Sequence, residues 1–298
     1  MKTRSYSRRL FLTVALAAAS LLPAGLGTAS AGTEVLKKND AIYNALPENI
    51  RKAGVINAAT EADYPPFEFL DEQNKLIGAD IDLAAALSEI LGVELRNNKT
   101  EFSNIVPGVQ AGRYDVGMSS IGDYFSRQKV VDFIDYYQGG TSFLVRKGTI
   151  DPKSAEDICG LSVGVLKGTS SESQAEGSSK TCEKMGKAPL KIHAFPTQNA
   201  AVLALTSKRI DAVSGDAATN GYSAKQVGDA LVNTGFAVYS DRPYYGLALP
   251  KNSPLYEPLF QAMAELMKSG VYEEILDKWG VRDGALKAPE KNHGSSDE

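Results

Sequence analysis

The sequence predicts an α/β fold in two lobes, and three features support this prediction. Strand-like apolar runs alternate with helical ones in the first half, the same order repeats in the second half, and two amphipathic helices follow the repeat. We therefore expect two Rossmann-like lobes, with the terminal helices returning to cover the first, so that a two-segment hinge joins them. The predicted lobes are 32–140 with 240–286, and 141–239. A charged tail at 287–298 is predicted to be disordered.

The first lobe is predicted from short apolar strands that alternate with amphipathic helices. Residues 54–60 form a strand pattern, and Ile81, Leu87 and Leu91 fall at helical spacing before Gly92 ends the helix. The alternation continues with a strand at 93–95, a helix at 103–112, and strands at 114–119 and 141–146.

The second lobe repeats this order, with strands at 161–166, 190–195 and 210–213 and helices at 170–185 and 197–208. Residues 102–120 and 198–216 both show a helix, a basic residue, an aspartate, an apolar strand and a small polar loop, in that order. One offset aligns Asp115 with Asp211 and Ser120 with Asp216. Because ligands bind at the carboxyl ends of strands in open α/β sheets, these loops are candidate binding loops. A strand at 244–250, a helix ending at Gly270 and a helix at 271–279 complete the prediction.

The amino terminus has the pattern of an export signal. Basic residues precede an apolar stretch from Leu10 to Leu22, and Ala29-Ser30-Ala31 forms a cleavage site, so we expect cleavage after Ala31. Residues 7–12, with Arg8 and Arg9, resemble the twin-arginine export motif, and an ordinary secretory signal with paired arginines is the alternative. No cysteine follows the signal where a lipid anchor would be attached, so the mature protein is expected to be soluble.

Charge and cysteine content exclude several classes of function. The net charge is −4, and removal of the signal takes away four positive charges, so the mature chain is acidic and unsuited to binding nucleic acid or an anionic membrane. The two cysteines, Cys159 and Cys182, are expected to form a disulfide in an exported protein. The two histidines lie in a strand pattern and in the tail, so neither a metal site nor a cofactor is expected.

Arg127 is the candidate binding residue in the segment from Tyr114 to Phe133. A guanidinium beside backbone N–H groups can bind a carboxylate, and Ser119, Ser120 and Gly122 leave room for a small ligand. The alternative is that Arg127 is a solvated residue at the start of a surface helix.

Five motifs, in order along the chain, together resemble the periplasmic solute-binding proteins of ABC importers for polar amino acids (bacterial extracellular solute-binding proteins, family 3), which have the type II periplasmic binding fold. The motifs are residues 64–69 (YPPFEF), 78–84 (GADIDLA), the Arg127 segment ending Val131-Asp132-Phe133, 163–169 (VGVLKGT), and Gly270-Val271-Tyr272 with Lys278-Trp279. The resemblance covers about Gly54 to Val281.

The resemblance implies how an amino acid's zwitterion is bound. Arg127 occupies the position of the carboxylate-binding arginine, assisted by backbone N–H groups near Gly122 and at Thr169 and Ser170. Asp216 occupies the position of the ammonium-binding aspartate, with Ser120 supplying a further acceptor. Alternatively, Thr169, Ser170 and Asp216 are helix caps, and a helix start can fulfil both roles.

The resemblance also suggests a pocket for the ligand's side chain. Tyr64 and Phe102 are expected to flank it, with core packing as the alternative for Phe102, and Glu61 favours a ligand with a hydrogen-bond donor at its far end. Asp80 is a second carboxylate near Glu61, or a helix cap. Lys167 could neutralise Glu61 or bind an acidic side chain. The chain departs from the family at Tyr124-Phe125-Ser126, where threonine-proline-glutamate is usual.

The sequence therefore predicts a monomeric periplasmic receptor, not an enzyme, that closes its lobes on a polar amino acid, basic or amide side chains being the candidates, or on a derivative. It would deliver this ligand to an ABC permease with its ATPase, and no cofactor is required. The alternative is an exported cyclohexadienyl (prephenate or arogenate) dehydratase-like enzyme, since relatives of this fold include such enzymes. A receptor ectodomain would need a membrane-spanning segment after Trp279.

Overall fold

The structure is a computed structural model that describes residues 36–154, 156–234 and 242–296. The predicted signal and its cleavage site lie outside these residues. The helices are α1 (Asp40–Ala45), α2 (Glu48–Ala53), α3 (Ala79–Leu91), α4 (Ile105–Gln110), α5 (Phe125–Gln128), α6 (Ser170–Lys184), α7 (Gln198–Thr206), α8 (Ala217–Val227), α9 (Tyr256–Ser269) and α10 (Val271–Trp279).

The strands are β1 (Val55–Thr60), β2 (Asp63–Tyr64), β3 (Glu68–Leu70), β4 (Leu76–Ile77), β5 (Glu94–Lys99), β6 (Val116–Gly122), β7 (Val131–Gln138), β8 (Thr141–Arg146), β9 (Ser162–Leu166), β10 (Lys191–Phe195), β11 (Ala212–Asp216), β12 (Leu231–Asn233), β13 (Tyr244–Pro250) and β14 (Ala285–Lys291). Short 3₁₀ turns occupy Phe102–Asn104, Gly228–Ala230 and Arg282–Gly284. Within the described ranges, none of the helices combines the length and apolar character needed to span a bilayer.

The first sheet has six strands in the order β14-β7-β13-β6-β1-β5. Strand β1 runs parallel to β5 and β6, whereas β13 pairs antiparallel with both β6 and β7. Helix α3 packs against α9 and α10, and the buried apolar residues of these helices share one core with the sheet. The terminal helices thus cover the first sheet, as the sequence predicted. The small hairpin sheet β2-β3-β4 precedes α3.

The second sheet has five strands in the order β10-β9-β11-β8-β12, of which β10, β9 and β11 are parallel. The predicted disulfide is present: Cys159 and Cys182, with Cα atoms 5.6 Å apart, join the segment before β9 to the end of α6. Cys182 is buried in the same core as Ile158, Val163 and Val165. The disulfide therefore ties a helix to its own sheet.

The chain passes from the first sheet to the second at Gly139–Gly140, between β7 and β8, and returns between β12 and β13. The two passages touch, because the Gly139 N–H donates to Pro243 O at 2.9 Å. Arg242 braces the same point by donating from Nε to Gly139 O at 3.2 Å. A side chain at 139 would collide with the Tyr245 ring, since a Cβ there would lie 2.3 Å from it. Glycine is thus required at 139 by close approach.

The prediction that residues 287–298 are disordered is wrong for the tail as far as Ser296, because β14 pairs antiparallel with β7 and the chain continues in hydrogen-bonded contact beyond it. The charged side chains of Lys287, Glu290 and Lys291 are exposed, while Pro289 is buried. The order comes from backbone pairing and a few apolar contacts, which composition does not reveal.

Two predicted strands are longer than expected, and both extensions reach candidate site residues. Strand β6 continues to Gly122 because Tyr245 and Gly246 of β13 pair with Gly122 and Ile121. Strand β11 continues to Asp216 because Asp216 pairs with Thr141 of β8. The sequence also gave no prediction of β7 as a strand, and it gave α8 only as the helix that Asp216 would cap.

Candidate ligand-binding site

Arg127 lies in the short helix α5, and its guanidinium donates hydrogen bonds to a backbone carbonyl beside each of the two sheets. Its Nη1 donates to Gly122 O at 2.8 Å, at the end of β6, and its Nη2 donates to Gly168 O at 2.9 Å, in the loop after β9. The guanidinium carbon lies 5.5 Å from the ring centroids of Phe102 and of Tyr124. Arg127 is therefore a half-buried residue held at the boundary between the lobes, not a purely solvated one.

The loop from Lys167 to Ser170 faces Arg127 at the start of α6. A cavity of about 210 Å³ between them is lined by Tyr124, Ser126, Arg127, Gly168, Thr169, Ser170, Glu172 and Ser173. Thr169 precedes the helix, but its hydroxyl donates to Leu166 O at 2.7 Å and does not cap the helix. Glu172 instead accepts the Gly168 N–H at 2.7 Å. Lys167 is exposed, and its backbone N–H donates to Phe195 O.

Asp216 is buried at the junction between β11 and α8. Its Oδ1 caps α8 by accepting from Ala218 N at 2.8 Å and Thr219 N at 3.0 Å. Its Oδ2 accepts from the Tyr245 hydroxyl at 2.6 Å, across from the first sheet. Burial raises the pKa of Asp216, and the bonds from Tyr245 and the helix N–H groups oppose that rise. Asp216 is therefore a helix cap, as one interpretation of the sequence held. Its binding of the ligand's ammonium group stays a prediction of a second role.

Three carboxyl groups are buried together beneath the end of β6. Ser119 Oγ donates to Glu68 Oε1 at 2.6 Å and accepts the Glu61 N–H at 3.0 Å. Asp80 accepts the Ser120 N–H at 2.7 Å and the Tyr136 hydroxyl at 2.7 Å. Ser120 has a φ of +44°, a conformation that costs energy for a residue with a side chain, so Asp80 stabilises the turn.

The pKa values of these carboxyl groups are raised. Burial, together with the nearby charges of Asp63 and Glu101, raises the pKa of Glu61 to about 8. Burial raises the pKa of Glu68 well above its ordinary value, with Asp80 adding to the effect, and raises that of Asp80 to about 6. Within the described residues, Glu68 shares a side-chain hydrogen bond with Asp80, Glu61 Oε2 has no hydrogen-bond partner, and no ion pair involves any of the three residues. The cluster thus carries acidic oxygens that lack a cation.

The two aromatic candidates differ in their surroundings. Tyr64, half-buried, has its ring 6.4 Å from that of Phe67 and packs against the core of the first lobe. Burial raises the pKa of the Tyr64 hydroxyl, and the charge of Asp216 raises it further. Phe102 packs against Ile105 and its neighbours while its ring faces Arg127. Phe102 therefore packs partly in the core, as one interpretation of the sequence held, and its role beside the ligand's side chain stays a prediction.

Sequence reasoning missed three contributors. Glu68 lies in a quoted motif, but its burial in the acidic cluster depends on tertiary packing. Tyr245 lies in a predicted strand, and its partner Asp216 is distant in sequence. Asp63 accepts the Asn199 N–H at 3.1 Å and also the Asn199 side-chain amide, which links the β2 hairpin to the start of α7. Only the aromatic and acidic composition of residues 61–69 gave any signal for these contacts.

Known proteins resemble this chain over most of its length. Residues 56–282 match the profile of the "Bacterial extracellular solute-binding proteins, family 3". The chain belongs to this family. The Arginine-binding protein ArgT of Corynebacterium glutamicum is 32% identical over 246 residues, which is 82% of this chain and 80% of the relative. The histidine-binding periplasmic protein of Escherichia coli is 29% identical over 246 residues, 80% of this chain and 90% of the relative.

Solved structures show the same fold. An ancestral arginine-binding protein bound to arginine is 37% identical, with a TM-score of 0.69. The match covers 76% of the chain described here and 98% of the ancestral protein's chain. The ancestral amino acid-binding protein AncCDT-1, a precursor of cyclohexadienyl dehydratase, is 32% identical with a TM-score of 0.69, covering 78% and 98%. The predicted type II periplasmic binding fold is confirmed.

Proposed function

We propose that this protein is an exported receptor that binds an amino acid with a cationic side chain between its two lobes. The observation that carries the proposal is the buried acidic cluster of Glu61, Glu68 and Asp80, which lacks a cation within the described part of the chain. Burial raises the pKa of Glu61 to about 8, so its carboxyl group is largely protonated without a partner charge, and a ligand cation that pairs with Glu61 stabilises the ionised form.

We assign the α-carboxylate and α-ammonium groups, which all α-amino acids share, to Arg127 and Asp216. The Arg127 fork can receive a carboxylate, with the Gly122 region on one side and Thr169 and Ser170 on the other. Asp216 Oδ2 can receive the ligand's ammonium beside the Tyr245 hydroxyl, with Ser119 and Ser120 nearby in sequence on the facing loop. These residue roles are proposals, supported by the arrangement of the loops and by the family motifs.

The side-chain end is assigned to the pocket near Glu61, with Tyr64 and Phe102 as its aromatic walls. A guanidinium or ammonium over an aromatic face gains cation–π attraction in addition to the carboxylate. Relatives named for arginine and histidine binding support a basic ligand. Because Lys167 is exposed and Asp80 bonds to Ser120 and Tyr136, we assign neither of them a direct contact with the ligand.

Ligand binding is proposed to act by lobe closure. The lobes are taken as 32–140 with 240–286, and 141–239, joined by the Gly139–Gly140 passage and by the return of the chain between β12 and β13. Hydrogen bonds from Arg127 to Gly168 and from Tyr245 to Asp216 cross between the two sheets, so they contribute only when the lobes are together. A ligand held from both sides shifts the equilibrium toward this form.

The closed receptor would then deliver its ligand to an ABC permease and its ATPase. We propose that it works as a monomer in the periplasm after cleavage at Ala31, with twin-arginine export favoured by Arg8 and Arg9.

The test is calorimetric titration of unfolded and refolded protein, a step that strips any carried-over ligand. We expect arginine and lysine to bind at submillimolar concentrations, glutamine more weakly, and glutamate weakest, because only a cation can form an ion pair with Glu61 once the carboxyl group releases its proton. Absence of binding to every common amino acid would refute the proposal. Arg127→Ala should abolish binding, whereas Arg113→Ala, an exposed arginine outside the site, should leave it unchanged.

A dehydratase is the second candidate, because the AncCDT-1 structure links this fold to that enzyme. Incubation with prephenate or arogenate, followed by absorbance measurement of phenylpyruvate or chromatography of phenylalanine, separates the two. We expect no turnover, because the proposed site assigns a single cation, Arg127, to the ligand, whereas prephenate and arogenate each carry two carboxylates.

A further inference from the structure

The carboxyl-terminal segment lies beside the loop that carries Arg127. We call residues 285–296 the terminal strap. The family match ends at residue 282, so the strap lies beyond the matched region. Its first part, β14, pairs with β7 at the outer edge of the six-stranded sheet. The Leu286 N–H donates to the Tyr272 hydroxyl at 2.9 Å, which fixes the start of the strap to α10.

Beyond β14, residues of the strap form hydrogen bonds with residues of β7. Asn292 Oδ1 accepts the Phe133 N–H at 2.7 Å, and the Asn292 N–H donates to Phe133 O at 3.2 Å. The His293 N–H donates to Asp135 Oδ2 at 3.0 Å, and the His293 ring lies 4.8 Å from the Tyr244 ring. These bonds direct the strap along β7 toward the end of β6.

The last part of the strap contacts the residues just before Arg127. Ser295 pairs with Tyr124 as an isolated parallel bridge, and its carbonyl accepts the Phe125 N–H at 3.0 Å. That N–H belongs to the first residue of α5. Gly294 fits closely against Asp123, because a Cβ on Gly294 would lie 2.6 Å from Asp123 O. The strap thus holds the amino-terminal end of the helix that contains Arg127.

Asp123 also connects the strap to α5, through both its side chain and its backbone carbonyl. Its Oδ1 accepts from the Gln128 side chain at 2.8 Å, and its carbonyl accepts the Ser295 N–H at 3.3 Å. Gly122, the preceding residue, supplies the carbonyl to which Arg127 Nη1 donates. A four-residue helix has little stability of its own, so α5 depends on such external bonds for its orientation.

We propose that the terminal strap positions Arg127 for the ligand carboxylate. This inference rests on the proposed function. The strap residues do not touch the ligand; they act through Asp123 and α5. A side chain at position 294 would disturb the close contact with Asp123. It should weaken the binding of ligands that have an α-carboxylate and leave the binding of ligands without one unchanged, because only an α-carboxylate uses the Arg127 guanidinium.

The test compares Gly294→Ala with Gly177→Ala in the full chain. Gly177 lies within α6 with no atom near its missing Cβ, so it is a matched control for the added methyl group. Each protein is titrated with arginine and with agmatine, the decarboxylated analogue. We expect Gly294→Ala to bind arginine about tenfold more weakly, with agmatine affinity unchanged and Gly177→Ala like the parent. Hydrogen exchange at the Phe125 amide should become faster in Gly294→Ala.

The outcomes are distinguishable. If the parent protein binds no cationic amino acid, the proposed function fails. If the parent binds arginine but Gly294→Ala leaves the arginine-to-agmatine affinity ratio unchanged, the strap has no positioning role and the inference fails. Should Gly294→Ala not fold, a chain ending at Asn292 removes the same contacts, and the same change of ratio is expected.

Discussion

The Tyr245 hydroxyl of the first sheet donates a 2.6 Å hydrogen bond to Asp216 Oδ2 of the second sheet. Tyr245 is also paired in register with Gly122, whose carbonyl accepts from Arg127. The two residues proposed to bind opposite ends of the ligand's zwitterion are therefore both linked to one backbone pair. Movement of β13 relative to β6 would change both ends together.

Tyr245→Phe tests the link to Asp216. The ring is retained, with its packing against Phe67 and Tyr137, and only the hydroxyl is lost. A hydrogen bond to a charged group contributes about 1.5 kcal/mol or more, so we expect roughly tenfold weaker arginine binding. Calorimetry measures this change, and Tyr137→Phe is the matched control. An unchanged affinity in Tyr245→Phe would show that the bond does not favour the ligand-bound form.

Asp63 and Asn199 provide a second contact between the hairpin and the second sheet's helices. Asp63→Ala removes the carboxylate that accepts both Asn199 N–H groups, and we expect several-fold weaker binding because the lobes close less readily. Asn199→Ala removes only the side-chain bond and should cost less. In the Asp63→Ala background, Asn199→Ala should have no further effect, and independent, additive losses in this double-mutant cycle would contradict a direct coupling.

Cation binding at Glu61 should release a proton. The pKa of Glu61 is raised to about 8 by burial and by Asp63 and Glu101, so its carboxyl group is protonated at neutral pH before a cation arrives. Arginine affinity should therefore rise as pH increases toward 8, by up to about tenfold per unit. Titrations in buffers of different ionisation enthalpy measure the released proton. Glu61→Gln should bind arginine more weakly and lose this pH dependence; a persistent dependence would assign it to another group.

Stability without ligand should fall as pH rises. Burial, together with Asp123, raises the pKa of Asp135 to about 8, far above its value in the unfolded chain. A raised carboxyl pKa contributes stability that is complete below the unfolded pKa, near 4, and is lost as pH rises through the folded pKa, near 8. Thermal melts between pH 5 and 9 should show a declining Tm. Asp135→Asn should flatten this decline, and an equal slope in both proteins would exclude Asp135 as a source.

The sequence predicted elements well where periodicity alone determines them. The strand over Tyr244–Pro250 and the helix over Val271–Trp279 match their predicted limits, because each alternates or repeats apolar residues over its whole length. It failed at the ends of β6 and β11, where the polar residues Ser120 and Asp216 resemble loop residues. The family motifs placed the candidate site residues without revealing their partners. Glu68, Tyr245 and the terminal strap depend on contacts between distant residues, which no local pattern encodes.

The path of the terminal strap has a practical consequence for how this protein is handled. An affinity tag, a surface-immobilisation handle or a fluorescent fusion placed soon after Ser295 would lie close in sequence to the residues that contact the Arg127 loop. Reporter fusions and purification handles should instead follow the export signal at the other end of the mature chain. Affinities measured with carboxyl-terminally tagged material should be compared with those of untagged protein, because such a tag follows the residues that contact Tyr124 and Phe125.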